Sequence, residues 1–264
     1  SSSLLQLRLP LRLLADFRRK TKKMTFFRFI SLFFVISGII VALLLYIDIR
    51  KHRQSMKIME AVWPLSGLWG SWLALWAYYR LGRTKPTEPM HMDMNMNMDM
   101  PKHSNTSSMQ MPGSTPPDWR QVTLSTLHCG AGCTLADILG EWFTYLIPLF
   151  IGGSILAGQW ALDYILALFF GIFFQYAAIQ AMEHLPVKRA LQKALKADFL
   201  SLTAWQAGMY GWMAIVMFGL FPNLALPKNS FEYWFMMQIA MCAGFLTSFP
   251  VNRFLIRKGI KHGM

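Results

Sequence analysis

The segment of the chain that points most directly to chemistry is 90–100, where methionine alternates with polar residues as MHMDMNMNMDM. In an extended backbone alternate side chains point to the same side, so the thioethers are expected along one edge and the hydrophilic groups along the other. Thioether sulfur is a soft, neutral ligand that suits Cu(I) or Ag(I), whereas harder ions prefer oxygen. The predicted metal ligands in this segment are Met90, His91, Met92, Met94, Met96, Met98 and Met100.

A disordered linker of low complexity is the alternative interpretation of the same segment. The residues that follow, up to 117, are rich in serine, proline and further methionine, and such a composition is typical of chain that cannot form a core. Methionine is normally a core residue and is uncommon in polar loops. We therefore favour the interpretation that residues 85–118 form a disordered linker that also collects metal.

Composition indicates what this linker connects. Of the 264 residues, 54% are hydrophobic and 15% charged, which is typical of a membrane protein. A helix needs about 20 apolar residues to cross the hydrocarbon core, and six stretches approach that length: 26–47, 61–79, 135–156, 160–182, 200–221 and 231–251. The predicted fold is an all-α integral membrane protein with about six transmembrane helices, two before the linker and four after it.

This organisation divides the chain into four parts. They are a basic N-terminal segment (1–25), a two-span hairpin (26–84), the linker (85–118) and a four-span membrane module (119–264). The N-terminal segment fits a transit peptide, an amphipathic surface helix or translated upstream sequence, with Met24 as the initiator in the last case.

Charge distribution predicts an orientation. The net charge is +13, but no soluble segment interleaves basic and aromatic residues, so nucleic acid is not an expected partner. Most lysines and arginines fall on the side of the N-terminus, with Arg50, Lys51, Arg53 and Lys57 as exceptions. The positive-inside rule then places both termini and the methionine-rich linker in the cytoplasm, with the chain in a cytoplasmic (inner) membrane.

A second group of candidate ligands lies at the predicted start of the third span, in the sequence HCGAGCTLADILGE. In a helix, Cys129, Cys133, Asp137 and Glu141 recur every four residues and form one stripe about 18 Å long, too long for a single ion. The two thiolates together with His128 suit Cu(I) or Zn, and a helix N-terminus favours the thiolate.

The stripe also has structural explanations. Buried cysteines are common, and with Cys242 as the third cysteine one is unpaired in any disulfide scheme. Carboxylates inside a span cost about 2.5 to 3.5 kcal/mol and are usually turned toward a partner or a cavity, so we favour function for Asp137 and Glu141. Alternatively, Thr134 caps the helix and Asp137 lies in its first turn.

Methionines recur at helical spacing in the last two spans. Met209 and Met213 lie four apart, as do Met237 and Met241, so each pair shares a helix face and offers thioethers to a soft ion. Packing is the alternative for such stripes. Asp198 is expected at the membrane interface, and 187–196 is expected to form a short amphipathic helix on the inner surface.

Three stretches, LHCGAGCTLADILGEW, KADFLSLTAWQAGMYGWMAI and YWFMMQIAMCAGFLTSFPVNRFLIRKGIKHGM, resemble the uncharacterised membrane family called domain of unknown function 4396. The resemblance covers about 123–264 and implies a four-span membrane module with no activity to carry over. The MxM repeats of the linker are also similar to the metal-gathering tails of copper transporters of the Ctr type, although those have three spans.

The preferred functional hypothesis is a membrane protein that binds Cu(I) and moves it or delivers it to a copper-accepting protein. The linker captures the ion, and His128, Cys129 and Cys133 receive it at the mouth of the third span. A membrane thiol oxidoreductase that uses Cys129 and Cys133 is one alternative, and a noncatalytic assembly subunit is another. No nucleophile–base pair, phosphate loop or dinucleotide fingerprint is apparent, so no catalytic residue is expected.

Overall fold

The computed structural model describes residues 2–54, 56–83, 118–183, 185–220 and 226–261, with backbone only for 2–24, 181 and 182. Six α-helices make up most of this described part. Their bounds are α1 Ser2–Lys51, α2 Met59–Ala77, α3 Trp119–Leu146, α4 Ile155–Glu183, α5 Val187–Ala214 and α6 Phe231–Arg257. Wider π-helical turns, Tyr78–Gly82 and Ile215–Leu220, continue α2 and α5.

Four helical segments in the described ranges are long and apolar enough to cross a membrane: Thr25–Lys51, Trp119–Leu146, Ile155–Gln180 and Phe231–Arg257. The remaining two helices pack among them, α2 against α1 and α3, and α5 against α4 and α6. Large apolar side chains such as Phe29, Phe33 and Leu43 on α1 are more than half exposed. A lipid-facing surface explains this exposure, and the protein is an all-α integral membrane protein.

Helix α3 occupies the centre, because it contacts α2, α4, α5 and α6. Small residues on α3 allow the neighbouring helices to pack closely against it. A Cβ on Gly132 would lie 2.8 Å from the Cα of Gly171, so α3 and α4 cross at backbone contact distance. The indole of Trp205 from α5 packs directly on Gly130. Small residues at such crossings are the usual means of helix association in membranes.

Helix α2 joins the four-helix module through a kink. Ser71 has φ 44° and ψ −124°, which breaks the α-helical path. The carbonyl of Leu68 accepts a hydrogen bond of 2.6 Å from Nε2 of Gln238 on α6. Gly38 of α1 lies against this carbonyl, where any Cβ would clash. A half-buried polar contact therefore holds α1, α2 and α6 together.

The third span differs from the sequence prediction. It begins at Trp119 and ends at Leu146 rather than covering 135–156. Asp118, not Thr134, is the N-cap, since its carboxylate accepts from the N–H of Arg120. The connection to α4 turns at Gly152 and Gly153, both at positive φ, a conformation that glycine adopts without strain.

The helix that contains the fifth predicted span, 200–221, also begins earlier than predicted, at Val187. Residues 187–196 do not form a separate surface helix but are the first turns of α5. Their inward face carries Ala190 and Ala194 and continues with Ala197, whereas Leu191 and Leu195 are exposed. This face of small side chains packs closely in the bundle. The buried part of α5 therefore starts before the apolar stretch that the composition predicted as a span.

Candidate functional site

The stripe predicted on α3 is buried along its whole length. Cys129 and Cys133 are fully buried, and Asp137 and Glu141 are 2% exposed. The prediction of one helix face is confirmed, but Cys129 lies about 15 Å into α3 rather than at its mouth. The two ends of the stripe belong to different polar clusters.

The first of these, here called the Cys129 cluster, joins α3, α5, α6 and the residues after α6. Its members are Cys129, Asp198, Ser201, Ser248, Asn252 and Lys261, all buried. The ammonium of Lys261 donates to Asp198 Oδ1 at 2.5 Å, to Asn252 Oδ1 at 2.9 Å and to Cys129 Sγ at 3.0 Å. The thiol of Cys129 lies 3.5 Å from Asp198 Oδ1.

Hydroxyl and amide groups complete the Cys129 cluster. Ser201 Oγ lies 3.1 Å from Cys129 Sγ and accepts from Asn252 Nδ2 at 2.7 Å. Ser248 Oγ lies 3.0 Å from Ser201 Oγ. Burial by itself lowers the pKa of Lys261, but the Asp198 carboxylate and the Cys129 sulfur outweigh it, so the pKa of Lys261 is raised. Lys261 is therefore a charged ammonium that compensates a buried carboxylate.

The second cluster, here called the Glu141 cluster, lies further along α3. Glu141 Oε2 pairs with Lys228 Nζ at 2.8 Å, and Glu141 Oε1 accepts from Gln159 of α4. Gln159 also donates to the hydroxyl of Tyr233 at 3.3 Å, and Lys228 donates to Thr144 at 2.6 Å. Glu141 is thus neutralised by a cation and held by α4 and α6.

Asp137 has a different environment, although it lies one turn from Glu141. Neither of its carboxylate oxygens has a hydrogen-bond partner within the described residues. It lines a cavity of about 250 Å³ bounded by α1, α2, α3 and α6. The other lining residues that matter chemically are Thr134, Trp69, Met237 and Met241. A carboxylate and two thioethers therefore face the same space.

Sulfur side chains from three helices lie in one buried cluster near this cavity. Seven of the fourteen buried residues of this hydrophobic core carry sulfur: Cys129 and Cys133 of α3, Met209 and Met213 of α5, and Met236, Met237 and Met241 of α6. The predicted methionine pairs thus face the bundle interior rather than lipid. We call these residues the sulfur cluster.

His128 is not part of the Cys129 cluster. It is fully buried and packs edge to face on Phe174 of α4, with ring centroids 6.0 Å apart. Cys129 instead contacts α5 and α6, because consecutive helical residues point in different directions. Across the described ranges, no group of three or more His, Cys, Asp or Glu residues could hold a metal ion. The predicted ligands at 90–100 lie outside the described residues.

Several buried charged residues were not predicted to be buried. Asp163, 2% exposed and packed on Gly140, lies in the apolar stretch 160–182, and the cost of a carboxylate in a span was the signal that could have found it. Asp198 is buried rather than interfacial. Lys261 carries no signal in the sequence, because it counts there as one more basic residue near a terminus.

Comparison with known proteins agrees with the resemblance of the motifs. The family model described as Domain of unknown function (DUF4396) matches 118–261, which is more than half of the chain and contains both polar clusters. No curated protein and no solved structure matches the chain. By the extent of that match, the chain belongs to the DUF4396 family.

Proposed function

We propose that the protein binds Cu(I) in the membrane and moves it through the bundle or delivers it to a copper-accepting protein. The observation that carries the proposal is the sulfur cluster, in which thiols and thioethers from α3, α5 and α6 share one buried contact cluster. Soft sulfur ligands select Cu(I) over the hard ions of the cell. Neutral thioethers bind it without burying further charge.

The cavity beside Asp137 supports the same proposal. A monovalent cation entering the membrane needs a counter-charge, and the carboxyl group of Asp137, which is 2% exposed and has no hydrogen-bond partner among the described residues, supplies one when it is ionised. Met237 and Met241 line the same cavity and offer two thioethers one turn apart. Asp137, Met237 and Met241 are therefore the proposed entry ligands, and Cys133, Met209 and Met213 are the next ones inward.

The linker and the orientation complete the proposal. The methionines at 90–100 capture the ion before it reaches the cavity, on the cytoplasmic side of an inner membrane. When all six helices cross the membrane, both termini and this linker lie on the same side, in keeping with the charge asymmetry. A reporter that is active only outside the cytoplasm can be fused to the C-terminus. Activity of that fusion in cells would contradict this orientation.

A titration of the purified full chain with Cu(I) or Ag(I), read by X-ray absorption, tests the proposal. Sulfur ligation is expected at sub-stoichiometric metal. Met237→Leu combined with Met241→Leu preserves volume, which usually costs less than about 1.5 kcal/mol of stability. We expect it to weaken binding by about tenfold or more, or about 1.4 kcal/mol.

The matched control is Met59→Leu, since Met59 is equally buried but belongs to a different core cluster. It is expected to leave binding unchanged. Deletion of 90–111 is expected to reduce copper uptake or copper resistance in cells while leaving the sulfur ligation in the bundle. Absence of sulfur ligation in the intact chain refutes the proposal, and tolerance of every variant indicates a noncatalytic assembly subunit.

The contact between Lys261 and Cys129 favours thiol redox chemistry as a second candidate function. An ammonium 3.0 Å from the sulfur atom of Cys129 favours the thiolate, against the opposing effects of burial and of the Asp198 carboxylate. Cys129 and Cys133 are both free thiols one turn apart on α3. This candidate predicts a reversible Cys129–Cys133 disulfide, detected as a loss of alkylation after oxidation. It is excluded if both thiols are still alkylated under oxidising conditions.

A further inference from the structure

Helix α2 turns back on itself at Ser71, where the backbone leaves the helical path. In one straight helix over 59–82, Trp63 and Tyr78 would lie about 22 Å apart along the axis. Their rings instead pack edge to face, with centroids 5.3 Å apart. A Cβ on Gly82 would clash with the same Trp63 ring. Residues 59–70 and 72–82 are therefore the two arms of a hairpin, with Ser71 at its tip.

Both ends of this hairpin lie beside the last turns of α1. At its start, Glu60 pairs with Arg53 at 2.9 Å. At its end, the hydroxyl of Tyr78 donates to Asp48 Oδ2 at 2.8 Å, and Arg83 lies 3.6 Å from the same carboxylate. A helix that crossed the membrane antiparallel to α1 would bring its last turn to the opposite end of α1. The second arm thus returns to the side from which the first arm enters.

Helix α3 begins at this same end of the bundle. Arg120 in its first turn donates to the carbonyl of Leu81 at 2.7 Å. The described residues that flank the linker, at 83 and 118, therefore lie on one side, which we call the linker side. Residue 261 lies there as well, since it contacts Cys129 in the first half of α3. The starts of α1 and α6 are at the other end, where Arg28 pairs with Glu232 at 3.0 Å.

The tip of the hairpin reaches only the middle of the bundle. The first arm has a length of about 18 Å, whereas the hydrocarbon core is about 30 Å thick. Gly38, halfway along the α1 span, lies against the carbonyl of Leu68. This carbonyl accepts from Gln238 of α6, and Ser37 of α1 lies 3.4 Å from the hydroxyl of Ser71. A helix break at this depth needs polar partners inside the protein, and α1 and α6 supply them.

We infer that α2 is a re-entrant helical hairpin that enters and leaves the membrane on the linker side. The predicted span 61–79 is then the hairpin itself. Five helices cross, namely α1, α3, α4, α5 and α6, in place of the six crossings expected from the apolar stretches. The start of α1 therefore lies on the side opposite to the linker and to residue 261.

The tip also forms one wall of the cavity beside Asp137. Leu68 and Trp69 line this cavity, and the ring of Trp69 packs edge to face on Trp205 of α5, with centroids 5.7 Å apart. Asp137 lies about 27 Å along α3 from its start, beyond the depth that the arms reach. Helices that break inside a membrane commonly border ligand sites. In the proposed function, a cation that moves between the linker and Asp137 has to pass the tip, whereas the hairpin itself depends on no ligand.

The charge distribution from Met24 onward agrees with five crossings. The four basic residues at 50–57 are exceptions to the positive-inside rule when six helices cross. With α2 turned back they join the basic linker side, and only Arg28 and Lys228 lie opposite. The seven basic residues before Met24 are the exceptions in this arrangement.

Labelling of introduced cysteines with a membrane-impermeant maleimide, in intact and in permeabilised cells, tests the hairpin. Lys57→Cys lies in the exposed connection between α1 and α2. Lys258→Cys is the matched control for the linker side, and Asn229→Cys, exposed before α6, is the control for the opposite side. The parent chain gives the background from the three native cysteines.

We expect Asn229→Cys to be labelled in intact cells, and Lys57→Cys and Lys258→Cys to stay at background until the cells are permeabilised. In an inverted protein, Lys57→Cys is still expected to follow Lys258→Cys. Labelling of Lys57→Cys together with Asn229→Cys overturns the hairpin, because α2 then crosses. None of these outcomes depends on copper, so failure of the hairpin leaves the proposed function to its own titration.

Glycine and alanine at the tip give a second test. Both Ser71→Gly and Ser71→Ala remove the hydroxyl, but φ 44° at this position favours glycine. We expect Ser71→Gly to have the higher unfolding midpoint of the two in detergent micelles. At Ser66, inside the first arm, the order should reverse, because glycine weakens a helix interior. Alanine giving the higher midpoint at both positions overturns the turn at Ser71.

Discussion

The pair of Asp198 and Lys261 allows a quantitative test of how the two ends of a buried ion pair differ. Both side chains are fully buried, and removal of one partner of such a pair usually costs about 3 to 5 kcal/mol. Asp198 is fixed on α5, so Lys261→Met leaves an unpaired carboxylate that cannot reach water. We expect this variant to lose about 3 to 5 kcal/mol of unfolding free energy.

The reverse substitution should cost less. In Asp198→Asn, the short tail after α6, residues 258–261, can move outward and return the ammonium to water, because residues 258–260 are exposed. The loss is then mainly that of the hydrogen bonds in the site, about 1 to 3 kcal/mol. The double variant Asp198→Asn with Lys261→Met removes both charges and should lie within about 1 to 2 kcal/mol of the parent, because replacing a whole buried pair is often nearly neutral.

Unfolding in mixed detergent micelles, followed by the fluorescence of the ten tryptophans, measures these free energies. Lys258→Met is the matched control, since Lys258 is exposed on the same tail, and a change within about 0.5 kcal/mol is expected. If Lys261→Met is no more destabilising than Lys258→Met, Lys261 does not compensate Asp198. If Asp198→Asn costs more than Lys261→Met, the argument that the tail can withdraw is wrong.

Two further predictions concern the helix crossings and the second cluster. Gly132→Ala should cost about 1 to 3 kcal/mol of unfolding free energy, because the added Cβ would lie 2.8 Å from Gly171 Cα and α3 would have to move. Gly211→Ala is the control, since a Cβ added there would have no atom within 4 Å. This control should be neutral or slightly stabilising. Lys228→Met leaves the buried Glu141 without its cation and should cost about 3 to 5 kcal/mol, measured in the same unfolding assay, whereas an unchanged midpoint would contradict the ion pair.

Much of the architecture could be predicted because membrane helices follow local rules. Apolar stretches long enough to cross lipid located the bundle, and a spacing of four residues placed Cys129, Cys133, Asp137 and Glu141 on one buried face. The bounds of α3 and α5 were harder to predict from the sequence. Both helices start in sequence that hydropathy counts as polar, and tertiary packing rather than composition buries those turns.

The partners of the buried groups could not be predicted, because helical periodicity gives the direction in which a side chain points but not the residue that it contacts. Asp137 and Glu141 are equivalent in the sequence pattern, yet Glu141 pairs with Lys228 while Asp137 faces a cavity. His128 and Cys129 are adjacent in sequence, yet they pack on different helices.

The sequence by itself determined that the chain is helical, lies in a membrane and turns one stripe of thiols and carboxylates inward, since periodicity and transfer free energy act on each segment separately. Only the tertiary structure decided that seven sulfur-bearing residues of α3, α5 and α6 belong to one hydrophobic core and that Lys261 enters the bundle to meet Asp198. The contacts between residues 129, 198 and 261 depend on how the helices pack against one another, which no single segment encodes.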